Sequence, residues 1–299
     1  MSFNLACRPC TGLDVGKKML KISGIMMIVR TLEDLRNALP TLGRTGFVPT
    51  MGALHAGHLA LIDAAKQVGL APTASVFVNP TQFGPKEDLS RYPRDEAGDI
   101  AKLKEAGCKL VWMPDVATMY PASNATTISV AGPSQQWEGS QRLGHFNGVA
   151  TVVAKLFGQM RPHAAFFGEK DWQQLQVVRR MVTDLCMPVQ IIPVPIVRET
   201  DGLAMSSRNT YLSALERARA PKLYTALTKA AKAIRAGQEP ASVLHTARQE
   251  LAKAGMIPDY VALVKADTME AIAQLGAEPA RLIAAARLGQ VRLLDNLAI

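Results

Sequence analysis

Two histidines stand where a short strand is predicted to pass into a helix. Phe47 and Val48 form an apolar run, a turn rich in Gly, Pro and Thr follows, and an amphipathic helix is predicted to begin at about Gly57 and His58. A helix N-terminus carries unpaired N–H groups and the positive end of the helix dipole, so it attracts phosphate. Gly57 lets a ligand approach the backbone without a Cβ in the way. With His55, the pattern predicts a phosphate site, whereas a His-x-x-His pair without this context is more often an accident or a surface pair.

The elements before and after this turn predict a parallel sheet. From Ile28 to about Val197, short apolar strands alternate with helical segments, and this alternation is typical of right-handed βαβ units. Ligands of such sheets bind at the carboxyl ends of the strands. The loops after Val48, Val78 and Phe167 would open there, and they contain the residues with chemical interest.

A smaller domain is predicted at the C-terminal end. After Ser213 the composition changes to helices rich in Ala, Lys and Arg, predicted over about 214–236 and 241–254, and two short strands follow at 260–264 and 281–287. This order of elements indicates an α+β domain.

We therefore predict a division into an unstructured leader (1–25), a larger domain (26–197) and a smaller domain (198–299). The leader has no periodic apolar face, and we expect it to be dispensable.

The composition excludes several classes of protein. Of the 299 residues, 48% are hydrophobic and 5% are aromatic, and the formal charge is +9. No run reaches the ~18 consecutive apolar residues that a membrane span requires, and no basic stripe interleaved with aromatic residues indicates nucleic-acid binding. The spacing of the four cysteines indicates neither a disulfide framework nor a zinc site; they are Cys7, Cys10, Cys108 and Cys186. We expect a cytoplasmic protein in which Cys108 and Cys186 are inert buried thiols, with no membrane or nucleic-acid partner.

Three further motifs follow the histidine turn in a fixed order. They are Asn79-Pro-Thr-Gln-Phe-Gly84, Gly168-Glu-Lys-Asp-Trp-Gln-Gln174 and Asp201-Gly-Leu-Ala-Met-Ser-Ser-Arg-Asn209. Together, from about Ile28 to Asn296, the chain resembles pantothenate synthetases, which condense pantoate with β-alanine using ATP. The resemblance implies an α/β fold, in which a Rossmann-like nucleotidyl-transferase domain binds ATP and pantoate and a smaller C-terminal domain acts as a lid. It also implies a homodimer and a requirement for Mg²⁺ with ATP.

The candidate ATP residues suit the activation of a carboxylate, because that reaction needs phosphates held in line and their growing charge neutralised. His55, His58, Lys170 and Arg208 are the predicted catalytic residues. Met205–Arg208 resembles the mobile Met-Ser-Lys loop of class I aminoacyl-tRNA synthetases, with Arg in place of Lys. The resemblance adds to the ATP-binding set Met51, Gly52, Gly57, Gly168, Glu169, Asp171, Val197, Met205, Ser206 and Ser207.

Neutral amides are suited to pantoate, since they can bind its hydroxyls without neutralising a carboxylate that must stay nucleophilic. The resemblance places Gln82 and Gln174 on pantoate, together with Asn79, and predicts that Val152 and Val153 form an apolar wall for its methyl groups.

For the metal, Asp99 matches an acidic position of the family. It belongs to an acidic patch that an exposed helix start explains equally well. The sequence contains no Ser/His/Asp or Cys/His set that would provide a protein nucleophile.

Two alternatives remain open at this stage. One is another acid-activating adenylate-forming or nucleotidyl-transferring enzyme on the same fold. The other is a regulatory or RNA-binding protein built on a synthetase fold that has lost its activity.

Overall fold

The computed structural model describes residues 26–85 and 87–299. The larger sheet contains the strands β1 (Met27–Val29), β2 (Thr45–Thr50), β3 (Ala71–Val76), β4 (Leu110–Trp112), β5 (Ala164–Gly168) and β6 (Gln190–Val194). All pairs are parallel, in the order β1-β4-β3-β2-β5-β6. The predicted α/β class and parallel sheet are confirmed. Pro193 lies in β6, at the edge of the sheet, where a missing backbone N–H is tolerated.

Helices cover both faces of this sheet. They are α1 (Leu32–Ala38), α2 (Ala56–Gln67), α3 (Glu96–Glu105), α4 (Val116–Met119), α5 (Glu138–Gln141), α6 (His145–Met160) and α7 (Trp172–Asp184). Helices α2 and α3 share a core with one set of strand residues, including Val48 and Phe166. Helices α1, α6 and α7 share another core with the alternate residues, including Phe47 and Phe167. This alternation follows from the pleat, in which successive side chains point to opposite faces.

The C-terminal part folds around a second core. Its helices are α8 (Ala214–Arg219), α9 (Lys222–Arg235) and α10 (Pro240–Lys253), and its strands are β7 (Ile257–Lys265), β8 (Ala280–Leu288) and β9 (Val291–Ala298). The strands form an antiparallel sheet in the order β7-β8-β9. Apolar residues of α9 and α10 are buried in one cluster with residues of all three strands. The predicted smaller α+β domain is confirmed.

Two sequence expectations for this part are wrong. The single helix predicted over 214–236 is divided into α8 and α9 at Pro221, because proline lacks a backbone N–H and its ring clashes with the preceding turn. The expectation of two strands missed β9. Leu288 and Val291 pair across Gly289 and Gln290, and Gly289 has a φ of 58°. A glycine in a two-residue loop between apolar runs is a hairpin signal, and it could have revealed this strand.

The cysteine expectation is half wrong. Cys108 is buried and free, whereas Cys186 is exposed and free. Cys186 follows the C-terminal end of α7, in the left-handed region with a φ of 50°. Burial raises the pKa of the Cys108 thiol to about 12.

The leader, with Cys7 and Cys10, lies outside the described residues. The predicted boundary between residues 197 and 198 stays a prediction, with the two sheets on either side of it. Within residues 26–85 and 87–299, no helix is long and apolar enough to cross a bilayer.

Gly46 offers a test of packing in the larger sheet. A Cβ at Gly46 would lie 2.8 Å from a ring carbon of Phe166 and 2.9 Å from the Cβ of Ala65, whereas a Cβ at Gly158 would meet nothing within 4 Å. We expect Gly46→Ala to lower the free energy of unfolding by about 1–3 kcal/mol through overpacking. The matched control Gly158→Ala, in α6, is expected to be neutral or stabilising by up to ~1 kcal/mol. Denaturant unfolding measures both, and equal effects of the two substitutions would contradict the packing described.

Candidate functional site

A cavity of about 280 Å³ lies at the carboxyl ends of the parallel strands, and residues of the C-terminal sheet form part of its wall. Most of the predicted site residues line it: Met51, His55, Gly57, His58, Asn79, Gln82, Val152, Val153, Gly168, Lys170, Asp171, Gln174, Val197, Met205, Ser206, Ser207 and Arg208. Gly52, Glu169 and Asp99 are not among its lining residues. Separate loops therefore meet at one place, as expected for a parallel sheet.

The two imidazoles form the N-terminal cap of α2. The backbone N–H of Gly57 donates to His55 Nδ1 at 3.2 Å, and that of His55 donates to His58 Nδ1 at 3.3 Å. The ring centroids are 4.1 Å apart. Because each Nδ1 accepts a hydrogen bond, each neutral ring carries its proton on Nε2. The pair thus has two N–H donors available beside a helix N-terminus.

Burial keeps these rings neutral. It lowers the pKa of His58 to about 3, with a further lowering by His55, and it lowers the pKa of His55 to about 4, with a further lowering by Lys170. At neutral pH the rings therefore act as hydrogen-bond donors without a formal charge.

Gly57 is required by close packing. A Cβ at this position would lie 2.9 Å from His55 Cε1 and 3.9 Å from the Cβ of Met205. A side chain here would displace the His55 ring, so the glycine is needed for the imidazole as well as for ligand approach.

The turn between β2 and α2 is held by α3. Asp99 is 1% exposed, and its two carboxylate oxygens accept from the backbone N–H groups of Ala53 at 2.8 Å and Leu54 at 2.7 Å. Lys102 donates to the carbonyl of Leu54 at 2.9 Å. A Cβ at Gly52 would lie 2.8 Å from Asp99 Oδ2. These contacts give Asp99 a structural role, and its assignment as a metal ligand stays a prediction.

Lys170 lies on the 3₁₀ turn Glu169–Asp171 that follows β5. Its ammonium group is 3.4 Å from Asp171 Oδ1, and its side chain is 21% exposed. This weak contact leaves the ammonium group available to an anion in the cavity.

Arg208 has a different partner from the one expected. Its Nε and Nη2 each donate to Asp88 at 2.9 Å, and its guanidinium lies 5.3 Å from the centroid of the Tyr92 ring. Burial favours the neutral form of Asp88, but the hydrogen bond and the charge of Arg208, with smaller contributions that include Arg142, together outweigh burial and lower the pKa of that carboxyl. Ser206 caps the following turn by accepting from the Arg208 N–H. The expected phosphate contact of Arg208 therefore requires exchange of its Asp88 partner.

Asn79 fixes the orientation of Gln82. Asn79 is 1% exposed, and its Nδ2 donates to Gln82 Oε1 at 3.0 Å and to the carbonyl of Gly148 at 3.2 Å. Its Oδ1 accepts from Thr81 and from the Tyr120 hydroxyl. The polar atoms of Asn79 are thus bound within the protein, and the amide nitrogen of Gln82 is left to donate to a ligand.

The neighbouring glutamines of α7 differ in role. Gln173 is 6% exposed; it donates to the carbonyls of Pro133 and Gln136, and its Oε1 accepts from the Glu138 N–H. Gln174 lines the cavity, and no described residue forms a hydrogen bond with its amide. Gln174 is therefore the one suited to bind a ligand.

Several lining residues carry no role in the sequence prediction. His145 Nδ1 lies 2.8 Å from the Gln82 carbonyl, and Arg142 forms an ion pair with Glu87 at 2.7 Å. The others with polar side chains include Tyr92, Glu138, Tyr260, Arg292, Asp295 and Asn296. The resemblance to the family extends over these residues, but it assigns them no role. Sequence alone does not show that strands of the C-terminal sheet reach the cavity.

Across the described part of the chain, no group of three or more His, Cys, Asp or Glu side chains could hold a metal ion. Asp99 and Asp88 are each bound within the protein, by backbone N–H groups and by Arg208. The residues present therefore do not form a metal cage.

Comparison with known proteins gives a consistent result. The family model described as pantoate-beta-alanine ligase matches residues 27–298. Pantothenate synthetase of Rhizorhabdus wittichii is 57% identical over 92% of this chain and 99% of its own length. The corresponding protein of Acidiphilium cryptum is 54% identical over 92% of this chain and 100% of its own length.

Solved structures are also similar. Pantothenate synthetase from Thermus thermophilus superposes with a TM-score of 0.87 at 50% identity, over 91% of this chain and 99% of that chain. The pantoate-beta-alanine ligase of Francisella tularensis, complexed with beta-gamma ATP and beta-alanine, has a TM-score of 0.78 at 32% identity, over 92% of this chain and 98% of that chain.

Three histidines with lowered pKa values predict how stability depends on pH. Burial lowers the pKa values of His55, His58 and His145, to about 4, 3 and 4, below the unfolded value of ~6.5. Because the folded protein keeps these rings neutral while the unfolded chain binds protons, the stability that the neutral rings contribute is complete above pH ~6.5 and is lost as the pH falls toward 4. The free energy of unfolding should therefore fall between pH 6.5 and 5.

Urea unfolding across this pH range measures the effect. We expect His145→Gln to make the dependence shallower. His245→Gln, on the exposed face of α10, is the matched control for loss of an imidazole. A rise in stability on acidification, or an unchanged slope in His145→Gln, would contradict the lowered pKa values of these rings.

Proposed function

The chain belongs to the pantoate-beta-alanine ligase family, and we propose that it condenses pantoate with β-alanine using ATP, giving pantothenate, AMP and pyrophosphate. The observation that carries the proposal is the single cavity that combines an imidazole pair at a helix N-terminus, Lys170, and the amides of Gln82 and Gln174. Cationic and neutral donors in one cavity suit a triphosphate beside a hydroxy acid. The Francisella tularensis ligase with bound nucleotide and β-alanine supports the same substrates.

We assign the phosphates to the α2 end of the cavity. The Nε2–H groups of His55 and His58 and the ammonium group of Lys170 are fixed donors there, and the N-terminus of α2 adds its dipole. Donors that are already oriented stabilise charge that grows on phosphate oxygens in the transition state without reorganising. Arg208 joins them when a phosphate replaces Asp88 as its partner.

Pantoate is assigned to the region between α6 and α7. The Gln82 amide is oriented by Asn79, and Gln174 has no protein partner among the described residues, so both amides can bind its hydroxyls and carboxylate. Val152 and Val153 are 5% and 4% exposed and line the cavity, which supplies an apolar wall for the two methyl groups.

The reaction proposed has two displacements. A carboxylate oxygen of pantoate forms a bond to the α-phosphorus of ATP while the bond from that phosphorus to the bridging oxygen breaks, and pyrophosphate leaves. The amine of β-alanine then attacks the acyl carbon, AMP leaves with the oxygen that came from pantoate, and the amine proton is released. The predicted residues supply hydrogen-bond donors to phosphate and no protein nucleophile. The pantoyl adenylate therefore stays bound to the protein noncovalently until the amine attacks it.

ATP is proposed to enter with Mg²⁺. The described residues do not form a metal cage, and Mg²⁺ commonly binds through substrate phosphates and retained waters. No step above is routed through the ion.

The remaining expectations from the sequence also stay proposals. We propose a homodimer, as the resemblance implies. We also propose a cytoplasmic location, where a free exposed thiol such as Cys186 is kept reduced.

An enzyme on the same fold that activates a different acid is the alternative. A panel of carboxylic acids with ATP and Mg²⁺ separates the two, because only the true acid supports release of pyrophosphate or its exchange into ATP. Exchange with another acid and none with pantoate would favour the alternative.

The products test the proposed reaction. With ¹⁸O in the pantoate carboxylate, we expect one label in AMP after turnover with β-alanine, and exchange of labelled pyrophosphate into ATP without β-alanine. Mass spectrometry of AMP measures the transfer. Formation of ADP and phosphate, or AMP without label, would rule out the adenylate route.

Substitutions separate the two halves of the cavity. Loss of one fixed donor to a growing charge costs about 2.7–4 kcal/mol, so His58→Ala should lower kcat roughly a hundred- to thousand-fold and affect ATP binding less. Gln174→Ala should raise the KM for pantoate and leave ATP binding close to that of the parent. Steady-state kinetics with thermal melting as a folding check measure both. A His58→Ala enzyme with normal kcat, or a Gln174→Ala enzyme with unchanged pantoate kinetics, would show that the assignment is wrong.

A further inference from the structure

The side chain of Asn296, on β9, reaches across the domain junction to the turn that carries Lys170. It is 2% exposed, and its Nδ2 donates to the carbonyl oxygens of Glu169 and Lys170, at 2.9 Å each. The turn has no side-chain cap of its own, since neither Gly168 nor Asp171 makes a capping hydrogen bond. The contact from the C-terminal sheet therefore holds the backbone at this point.

Arg281 determines which way the Asn296 amide faces. Arg281 Nη1 donates to Asn296 Oδ1, so the oxygen is committed and the nitrogen must face the two carbonyls. Arg281 also pairs with Glu169 at 3.0 Å and lies 3.2 Å from the centroid of the Trp172 ring. Because the surrounding groups are packed and paired, the amide cannot rotate without leaving a buried polar group unsatisfied.

The adjacent residue of β9 contacts a second segment that lies at the cavity. Asp295 accepts from Arg198 at 2.6 Å and 2.8 Å, and Arg198 follows Val197, which lines the cavity. Two consecutive residues of β9 thus connect to the segment at Val197 and to the turn at Lys170.

We infer that Asn296 is a positioning residue: its amide fixes the backbone of Lys170, and through it the ammonium group that binds the phosphates of ATP. This inference rests on the role assigned to Lys170 under the proposed function. The C-terminal domain then contributes to nucleotide binding through a contact made by its last strand, in addition to the Met205–Arg208 segment.

A double-mutant cycle in the full chain tests the inference. Asn296→Asp keeps the shape but replaces the two donated hydrogen bonds by an oxygen facing carbonyls, and we expect the Kd for a non-hydrolysable ATP analogue to rise roughly tenfold or more. In a Lys170→Ala background the same substitution should change the Kd less than about twofold, because the group it positions is gone. Calorimetric titration measures all four proteins. Arg235→Ala is the matched control, since it removes a side-chain hydrogen bond to the β9 carbonyl of Ala298 on an exposed surface.

Each result of the cycle decides the inference. An equal change in both backgrounds, or no change in the parent background, would overturn it and indicate a purely structural asparagine. If Lys170→Ala itself leaves the Kd unchanged, the role of Lys170 is wrong and the inference falls with it, while the labelled-product assay still tests the reaction separately. Asn296→Ser, a smaller neutral change, serves the same cycle if thermal melting shows that Asn296→Asp does not fold.

Discussion

The arrangement of the site depends on the buried carboxylate of Asp99. It binds two consecutive backbone N–H groups in the turn between β2 and α2, where Ala53 has a φ of 51° that non-glycine residues rarely adopt. Such a conformation persists only when its surroundings enforce it. The charge is compensated by the backbone donors and by its place in the first turn of α3. Because the turn is fixed, His55 caps α2 in one position and both histidines line the cavity.

The same constraint explains why the rings are neutral. Their Nδ1 atoms serve the cap of α2, both rings are only partly exposed, and Lys170 and Lys102 lie close enough to disfavour a further positive charge. Among the proposed phosphate donors at the α2 end of the cavity, Lys170 is thus the charged group and the histidines are neutral hydrogen-bond donors. Across the junction, two strands of the C-terminal sheet contact α5: Glu138 of α5 accepts from Tyr260 of β7 at 2.8 Å and from Arg292 of β9. The cavity is therefore lined by residues of both domains.

Sequence reasoning could identify what is local or follows from topology. The strand–turn–helix context placed His55 and His58 at a helix start, and the parallel sheet brought Gln82, Lys170 and Gln174 to one edge. It could not identify contacts between side chains that are distant in sequence. Nothing in the sequence indicates that Asp88 binds Arg208, that Asp99 holds Ala53 and Leu54, or that Asn296 reaches Lys170, because each contact depends on how far apart elements pack in three dimensions. The missed strand β9 had a local hairpin signal at Gly289, whereas exposure of Cys186 depends on how the chain leaves α7.

The central claim is that His55 and His58 act on phosphate as neutral Nε2–H donors. Nitrogen-15 NMR of the protein with labelled histidine measures protonation and tautomer directly. We predict that in the free protein both rings give the neutral pattern, with Nδ1 unprotonated and Nε2 protonated, from pH 7.5 down to about 5, and that this pattern is kept at pH 7.5 with a bound ATP analogue. An imidazolium signal from either ring at pH 7, or a proton on Nδ1, would contradict the account.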